Sequence, residues 1–135
     1  MEGAFRAAGA PAAETRYRRA DRVRTAEEIR HVLRNGRRRR LSALEVFFAP
    51  APGARPRFGV IVPRHRNTIV RRNRLRRRLK EIGRVEVLPR LRAAGIPMDV
   101  LVRARREAYR SSFQELRHSL VEFSEGLCSR SSPSD

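Results

Sequence analysis

The sequence has one cysteine, Cys128, and no tryptophan. A single thiol cannot form an internal disulfide, a CxxC pair or a zinc cluster, which excludes a disulfide scaffold and a thiol-built metal centre. No run of roughly 18 apolar residues occurs, so no membrane-spanning helix is expected. No basic amphipathic stretch has the aromatic-rich face of a helix lying in a lipid surface, and no membrane partner is expected. Acids are few, 14 Asp and Glu in all, and scattered. A nuclease that holds its metal ions on protein needs clustered carboxylates, which argues against one here. His31, His65 and His118 have no acidic or cysteine partner at ligand spacing, and no protein-held metal is expected. A GxSxG context and a glycine-rich phosphate loop are also missing.

Against these absences stand 32 Lys and Arg, which give a net charge of +18. Self-repulsion on that scale calls for a polyanion, and nucleic acid is the leading partner. Lys80 is the only lysine. The arginine fork grips phosphate with two hydrogen bonds and stacks on bases, which suits RNA. A GC-rich genome would also replace Lys by Arg, and both readings stay open. At 135 residues the chain has the size of one domain. Residues 1–20 are rich in Ala, Gly, Pro and Arg without a period, and residues 127–135 are mostly small and polar, so disorder is expected in both and a folded domain over 21–126. The N-terminal stretch lacks the apolar core of a secretory signal, and a cytoplasmic location is expected.

Thr25 and Glu28 form a capping box, and Ile29, Val32 and Leu33 recur at helical spacing before Asn35 and Gly36 stop the helix. After the basic run Arg37 to Arg40, LSALEVFF alternates: Leu44, Val46 and Phe48 share one face, Glu45 and Phe47 the other. RFGVIV reads as a second strand, joined to the first by a hairpin through APAPGARP. From Ile69 the period becomes helical, with Leu75, Leu79 and Ile82 in one stripe. A bend is expected near Pro89 and a stop at Gly95 and Pro97. MDVLVRA is a further strand. Ser112 and Glu115 cap a last helix that buries Leu116, Leu120 and Phe123 and is expected to end at Gly126. The order predicts an α+β fold with helices packed on a small sheet.

The chemistry concentrates in residues 63–81, PRHRNTIVRRNRLRRRLKE. Ten Arg and Lys side chains lie from Arg64 to Arg84, with Glu81 as the only acid. Like charges four apart on a helix repel, and the interleaved acids that would offset them are missing, which points to phosphate. Arg72, Arg76 and Lys80 stand four apart on one side, and Arg71, Arg74, Arg77 and Arg78 cover much of the rest. Asn73 is a poor helix former in mid-helix; its amide can bond RNA or brace a neighbouring arginine.

The run from Arg72 to Glu81, opening Arg-Asn-Arg, resembles the signature helix of the bacterial ribonuclease P protein family. Phe58 to Val62 resembles the strand before that helix, Pro63 to Thr68 its basic loop, Met98 to Arg105 its Asp-containing strand, FQELRHSL its final helix and EEIRHVLRNG its first. The likeness spans roughly residues 20–123. It implies a small, mainly antiparallel sheet with three helices and a left-handed βαβ crossover, a fold shared with the second domain of a small-subunit ribosomal protein.

The resemblance implies a subunit that binds the catalytic RNA through Arg64, His65, Arg66, Arg71, Arg72, Asn73, Arg74, Arg76, Arg77 and Lys80. It also implies a cleft for the single-stranded 5′ leader of precursor tRNA between the first helix and the sheet, placed here at Ile29, Leu33 and Phe47. Cleavage and its Mg2+ ions would belong mainly to the RNA, so the resemblance assigns no catalytic side chain to this chain. The family usually has two Phe where Ile29 and Leu33 stand, and an aliphatic side chain does not stack on a base. His65 and Asn67 replace the common Lys and Gly of the loop, and Pro63 is unusual. Phe47 reads equally as a core residue. A ribosomal or other structured-RNA-binding protein is the alternative, and a helix-turn-helix protein is disfavoured by the strands before the basic helix.

Overall fold

The computed structural model describes residues 17–130. The disorder expected for residues 1–16 and 131–135 lies outside the described residues. At the inner margins that expectation is corrected. Tyr17 donates its hydroxyl to the Phe58 carbonyl at 2.5 Å, and Asp21 is fully buried, which ties residues 17–21 to the fold.

Helix α1 (Ala26–Asn35) starts on the expected capping box, with Glu28 N–H donating to Thr25 Oγ1 at 3.1 Å and Thr25 N–H to the Glu28 carboxylate at 3.2 Å. Four strands follow: β1 (Arg37–Arg40), β2 (Leu44–Pro50), β3 (Arg57–Ile61) and β4 (Met98–Ala104). Their order across the sheet is β1-β2-β4-β3, with β4 antiparallel to β2 and parallel to β3. The hairpin expected between β2 and β3 therefore does not form, because β4 lies between them. The reason is burial on both faces: Val100 and Val102 enter one apolar cluster and Leu101 the other, so β4 takes a central place that β3 cannot. Arg57 of β3 then clamps the adjacent Asp99 of β4 with bonds of 2.8 and 2.7 Å. The run Arg37 to Arg40 forms an edge strand, and its four exposed arginines discourage pairing with another chain.

Helix α2 (Ile69–Ile82), a wider π turn (Gly83–Val87) and α3 (Leu88–Ala94) form the crossover from β3 to β4. The bend expected near Pro89 is this π turn, in which Leu88 N–H reaches back to Gly83 O; Pro89, without an N–H, falls in the first turn of α3. A Cβ at Gly83 would lie 2.2 Å from the Phe58 ring, so the glycine gives that fully buried ring its seat. Gly95 ends α3 in the left-handed region, φ 69°.

Helix α4 (Phe113–Arg130) begins on the Ser112–Glu115 box and buries Leu116, Leu120 and Phe123. It does not stop at Gly126. Leu127, 5% exposed, enters the core and extends the packed stripe by another turn, and the folded domain runs past residue 126. One face of the sheet packs on α2, α3 and α4; the other carries α1 and a smaller cluster of Val23, Val32, Phe47 and Leu101.

Candidate nucleic-acid interface

The loop Pro63 to Thr68 delivers the chain from β3 to α2. His65 and Arg66 both have left-handed backbone, φ 48° and 66°, a costly conformation for residues with a Cβ. Asn67 holds it in place: its side-chain amide donates to Arg64 O at 3.0 Å and His65 O at 3.2 Å. Tyr109 braces the loop from outside, donating its hydroxyl to Pro63 O at 2.6 Å. Thr68 caps α2 by accepting from Arg71 N–H at 3.1 Å.

Along α2 the buried stripe Leu75, Leu79 and Ile82 divides the cations into two flanks. On one flank, Arg72 donates Nε to Val62 O at 2.7 Å and so anchors the end of β3 as well as offering charge. Arg76 donates to Asn73 Oδ1 at 3.2 Å, the bracing role open to that amide. Lys80 is half-buried, and burial, with Arg76 and Arg22 nearby, lowers its pKa. On the other flank Arg71, Arg74 and Arg78 line a recess of about 90 Å³ with Tyr109, over whose ring the Arg71 guanidinium sits at 5.9 Å. Arg77 is exposed between the flanks. Ile69 and Val70, 56% and 66% exposed, stand at the start of the helix among these cations; their apolar type hid that exposure in the sequence.

Elsewhere the buried and half-buried carboxylates each hold arginines. Asp21 holds Arg55 and Arg92, Glu45 holds Arg38 and Arg103, Glu86 holds Arg90 and Arg117, and Arg57 bridges Asp99 and Glu28. Among the described residues no carboxylate pairs with Arg71, Arg72, Arg74, Arg76, Arg77 or Arg78, nor with Arg64 or Arg66. Glu81, the one acid in this helix, pairs with Arg84 at 2.7 Å.

Ile29, Leu33 and Phe47 come together on the α1 face, packed with Val32 and Leu101. Phe47 is only 6% exposed, and the Arg103 guanidinium covers its ring at 5.1 Å from the centroid. Its ring is thus core and cation platform at once. Beside it the Glu45 carboxylate accepts from Arg103 at 3.0 and 2.7 Å and from Arg38. These arginines escaped the sequence reading; their signal was the alternation of Arg38 with Arg40 in β1 and of Arg103 with Arg105 at and just past the end of β4.

The ribonuclease P family model matches residues 17–127. The chain belongs to the ribonuclease P protein family. The ribonuclease P protein component of Chloroflexus aurantiacus is 34% identical over 118 residues, covering 87% of this chain and 85% of that one. In fold it is similar to the ribonuclease P protein of Staphylococcus aureus, TM-score 0.67 at 19% identity over 81% of this chain and 95% of that one. The Thermotoga maritima protein gives TM-score 0.64 at 24% identity over 78% and 96%. Membership makes the chain a protein component of ribonuclease P, an endoribonuclease holoenzyme of tRNA processing in which it partners ribonuclease P RNA. The α+β fold implied by the family resemblance, a mixed four-stranded sheet with helices, is the fold found.

Glu28, in the first turn of α1, contributes an acid-sensitive part of the stability. Glu28 accepts from Arg24 N–H at 3.0 Å, from Thr25 N–H, and from Arg57 at 3.0 Å, which together hold its pKa down to about 2 from 4.5. A depressed carboxylate pKa stabilises the fold above the unfolded value and loses that contribution as pH falls through the folded one. The stability gap between wild type and Glu28→Gln should therefore shrink as pH falls from 4.5 towards 2, read by urea unfolding at each pH.

Proposed function

We propose that the chain binds ribonuclease P RNA through α2 and the loop before it and holds the 5′ leader of precursor tRNA along the α1 face. It thereby assists RNA-catalysed removal of the leader to make the mature tRNA 5′ end, in the cytoplasm. The observation that carries the reading is the withholding of acids from α2. The buried carboxylates of the chain hold arginines of the scaffold, and among the described residues six arginines concentrated on this one 14-residue helix pair with no carboxylate. Phosphates supply the missing countercharge, and RNA presents them in rows.

Arg74, Arg77 and Arg78 meet phosphate directly, while Arg72 and Asn73 chiefly set the position of the helix and of Arg76. Ile29 and Leu33 grip the leader by packing, since neither can stack as an aromatic ring does. Mg2+ is assigned mainly to the RNA, whose phosphate oxygens are the hard ligands that the ion prefers.

The test is cleavage of a precursor tRNA by the cognate catalytic RNA at low magnesium, with and without this chain. A tRNA lacking the leader serves as the binding control. Stimulation with tighter binding of the leader-bearing substrate is the expected result. A folded chain that binds the RNA but neither stimulates cleavage nor prefers the leader would be a structured-RNA binder without a processing role.

A further inference from the structure

Residues 17–24 form a strap along the β3 edge of the sheet, where Arg22 bridges Phe58 before α1 begins. Tyr17 packs on the apolar cluster under α2 and Val23 belongs to the cluster under α1, so the strap passes round the edge from one face of the sheet to the other. Its fastenings point inward. The Tyr17 hydroxyl and the Val23 N–H, at 3.1 Å, donate to the same Phe58 carbonyl. Asp21 accepts from Arg18 N–H at 2.9 Å and from Arg55 at 2.7 Å, and pairs with Arg92 at 3.1 Å. The one acid of the strap is therefore turned onto the scaffold and away from its neighbours in sequence. Arg18, Arg19, Arg22 and Arg24 are exposed and, among the described residues, pair with no carboxylate.

Arg22 ties the strap to α2. Its guanidinium sits 4.8 Å from the centroid of the Tyr17 ring and donates to Tyr17 O at 3.4 Å, which fixes it over its own segment. Burial, then the charges of Arg76 and Arg22, lower the pKa of Lys80, so the strap brings a cation up against the Arg72, Arg76 and Lys80 flank of the helix. These like charges repel, and the bonds to Phe58 and Asp21 hold the two segments together in spite of it. Cations gathered from two distant segments, with the nearby carboxylate turned away, call for an anion from outside. The only aromatic ring of the strap is half-buried beneath Arg22 and its hydroxyl is engaged, so no ring is free to stack on a base. What faces outward is charge.

We propose that the strap is a second phosphate-binding surface for the catalytic RNA, continuing the Arg72, Arg76 and Lys80 flank of α2 round the β3 edge. Arg22 joins the two, and Arg18, Arg19 and Arg24 carry the track along the strap. The surface rests on the RNA-binding reading above and adds where the backbone runs once it leaves the helix. At about 1.5 Å of rise per residue, the α2 row from Arg72 to Lys80 spans only about 12 Å, and the strap lengthens it past the edge of the sheet. A longer row of phosphate contacts raises affinity and its salt dependence together and makes no demand on sequence. Guanidiniums without a stacking ring favour the sugar-phosphate surface of a folded RNA over the bases of an unpaired strand.

The test compares the full chain with Arg22→Ala, with Arg22→Lys and with Arg18→Ala/Arg19→Ala/Arg24→Ala. None of these changes touches the Tyr17, Val23 or Asp21 bonds that fasten the strap, and melting curves verify the fold. Binding to the cognate catalytic RNA is measured across a salt series. Arg22→Ala and the triple variant should each weaken the complex by roughly tenfold or more and flatten the slope of log K against log salt by about 0.9 per lost phosphate contact. Arg22→Lys, which keeps the charge, should recover most of that slope. In backbone footprinting of the RNA, the phosphates uncovered by Arg22→Ala should adjoin those uncovered by Arg76→Ala. Wild-type affinity and slope in both alanine variants overturn the surface, and footprints that lie apart overturn the continuous track. With saturating protein, the preference of the holoenzyme for leader-bearing precursor tRNA should not change; a loss confined to that preference assigns the strap to the substrate and overturns the proposal. Arg74→Glu in the same binding assay separates the two readings. If it weakens the complex while the strap variants are silent, the RNA-binding reading stands and the strap falls; if it too is silent, both fall.

Discussion

Asp99→Ala is expected to destabilise the fold by about 3–5 kcal/mol, the range for removing one partner of a buried ion pair. The Asp99 side chain is 1% exposed and accepts two bonds from Arg57, whose own side chain is 18% exposed. Without it a mostly buried guanidinium keeps only Glu28, at 3.0 Å. Three elements meet at this point, because Asp99 lies in β4, Arg57 in β3 and Glu28 in the first turn of α1. The loss would therefore loosen the parallel strand pair and the seat of α1 together. Against a total of about 5–15 kcal/mol for a domain, the effect is large enough to leave the variant partly unfolded at physiological temperature. Urea unfolding gives the number. A shift within about 0.5 kcal/mol, the size expected of an ordinary surface change, would show that the clamp contributes no more than a surface pair.

Reversing Arg74 and Arg78 to glutamate should produce the largest functional effect. Both are exposed, both border the recess beside Tyr109, and neither makes an ion pair among the described residues, so the fold gives up nothing when they change. Each lost charge-assisted hydrogen bond to phosphate costs about 1.5–3 kcal/mol, roughly ten- to a hundredfold in affinity per position, and the new carboxylates add repulsion. The salt slope of catalytic RNA binding should fall by about one per phosphate contact removed. Arg72 makes an instructive contrast: its Nε already serves Val62 O, so Arg72→Glu should lower thermal stability as well as affinity. Filter binding across a salt series, paired with melting curves, reads both. Wild-type affinity for Arg74→Glu/Arg78→Glu would remove α2 from the interface.

Local sequence chemistry determined much of this protein. The capping boxes at Thr25 and Ser112, the stripe Leu75, Leu79 and Ile82, the two-faced alternation of LEVFF and the left-handed Gly95 are each set by residues within one or two turns, and each stands where the pattern put it. The Arg-Asn-Arg run was equally plain, because charge unrelieved by nearby acids is a property of the chain itself. Strand order was another matter. Nothing in APAPGARP reveals that β4, which follows β3 only after the whole helical crossover, will enter between β2 and β3; burial on both faces and the Arg57–Asp99 clamp decide that. The turn past Gly126 was hidden for a like reason, since Leu127 offsets a poor helix residue by entering a core made of distant segments. The cluster around Glu45 is the clearest case. Arg38, Glu45 and Arg103 come from three separate strands, and their meeting depends on register between strands, which side-chain pattern leaves open until the sheet closes.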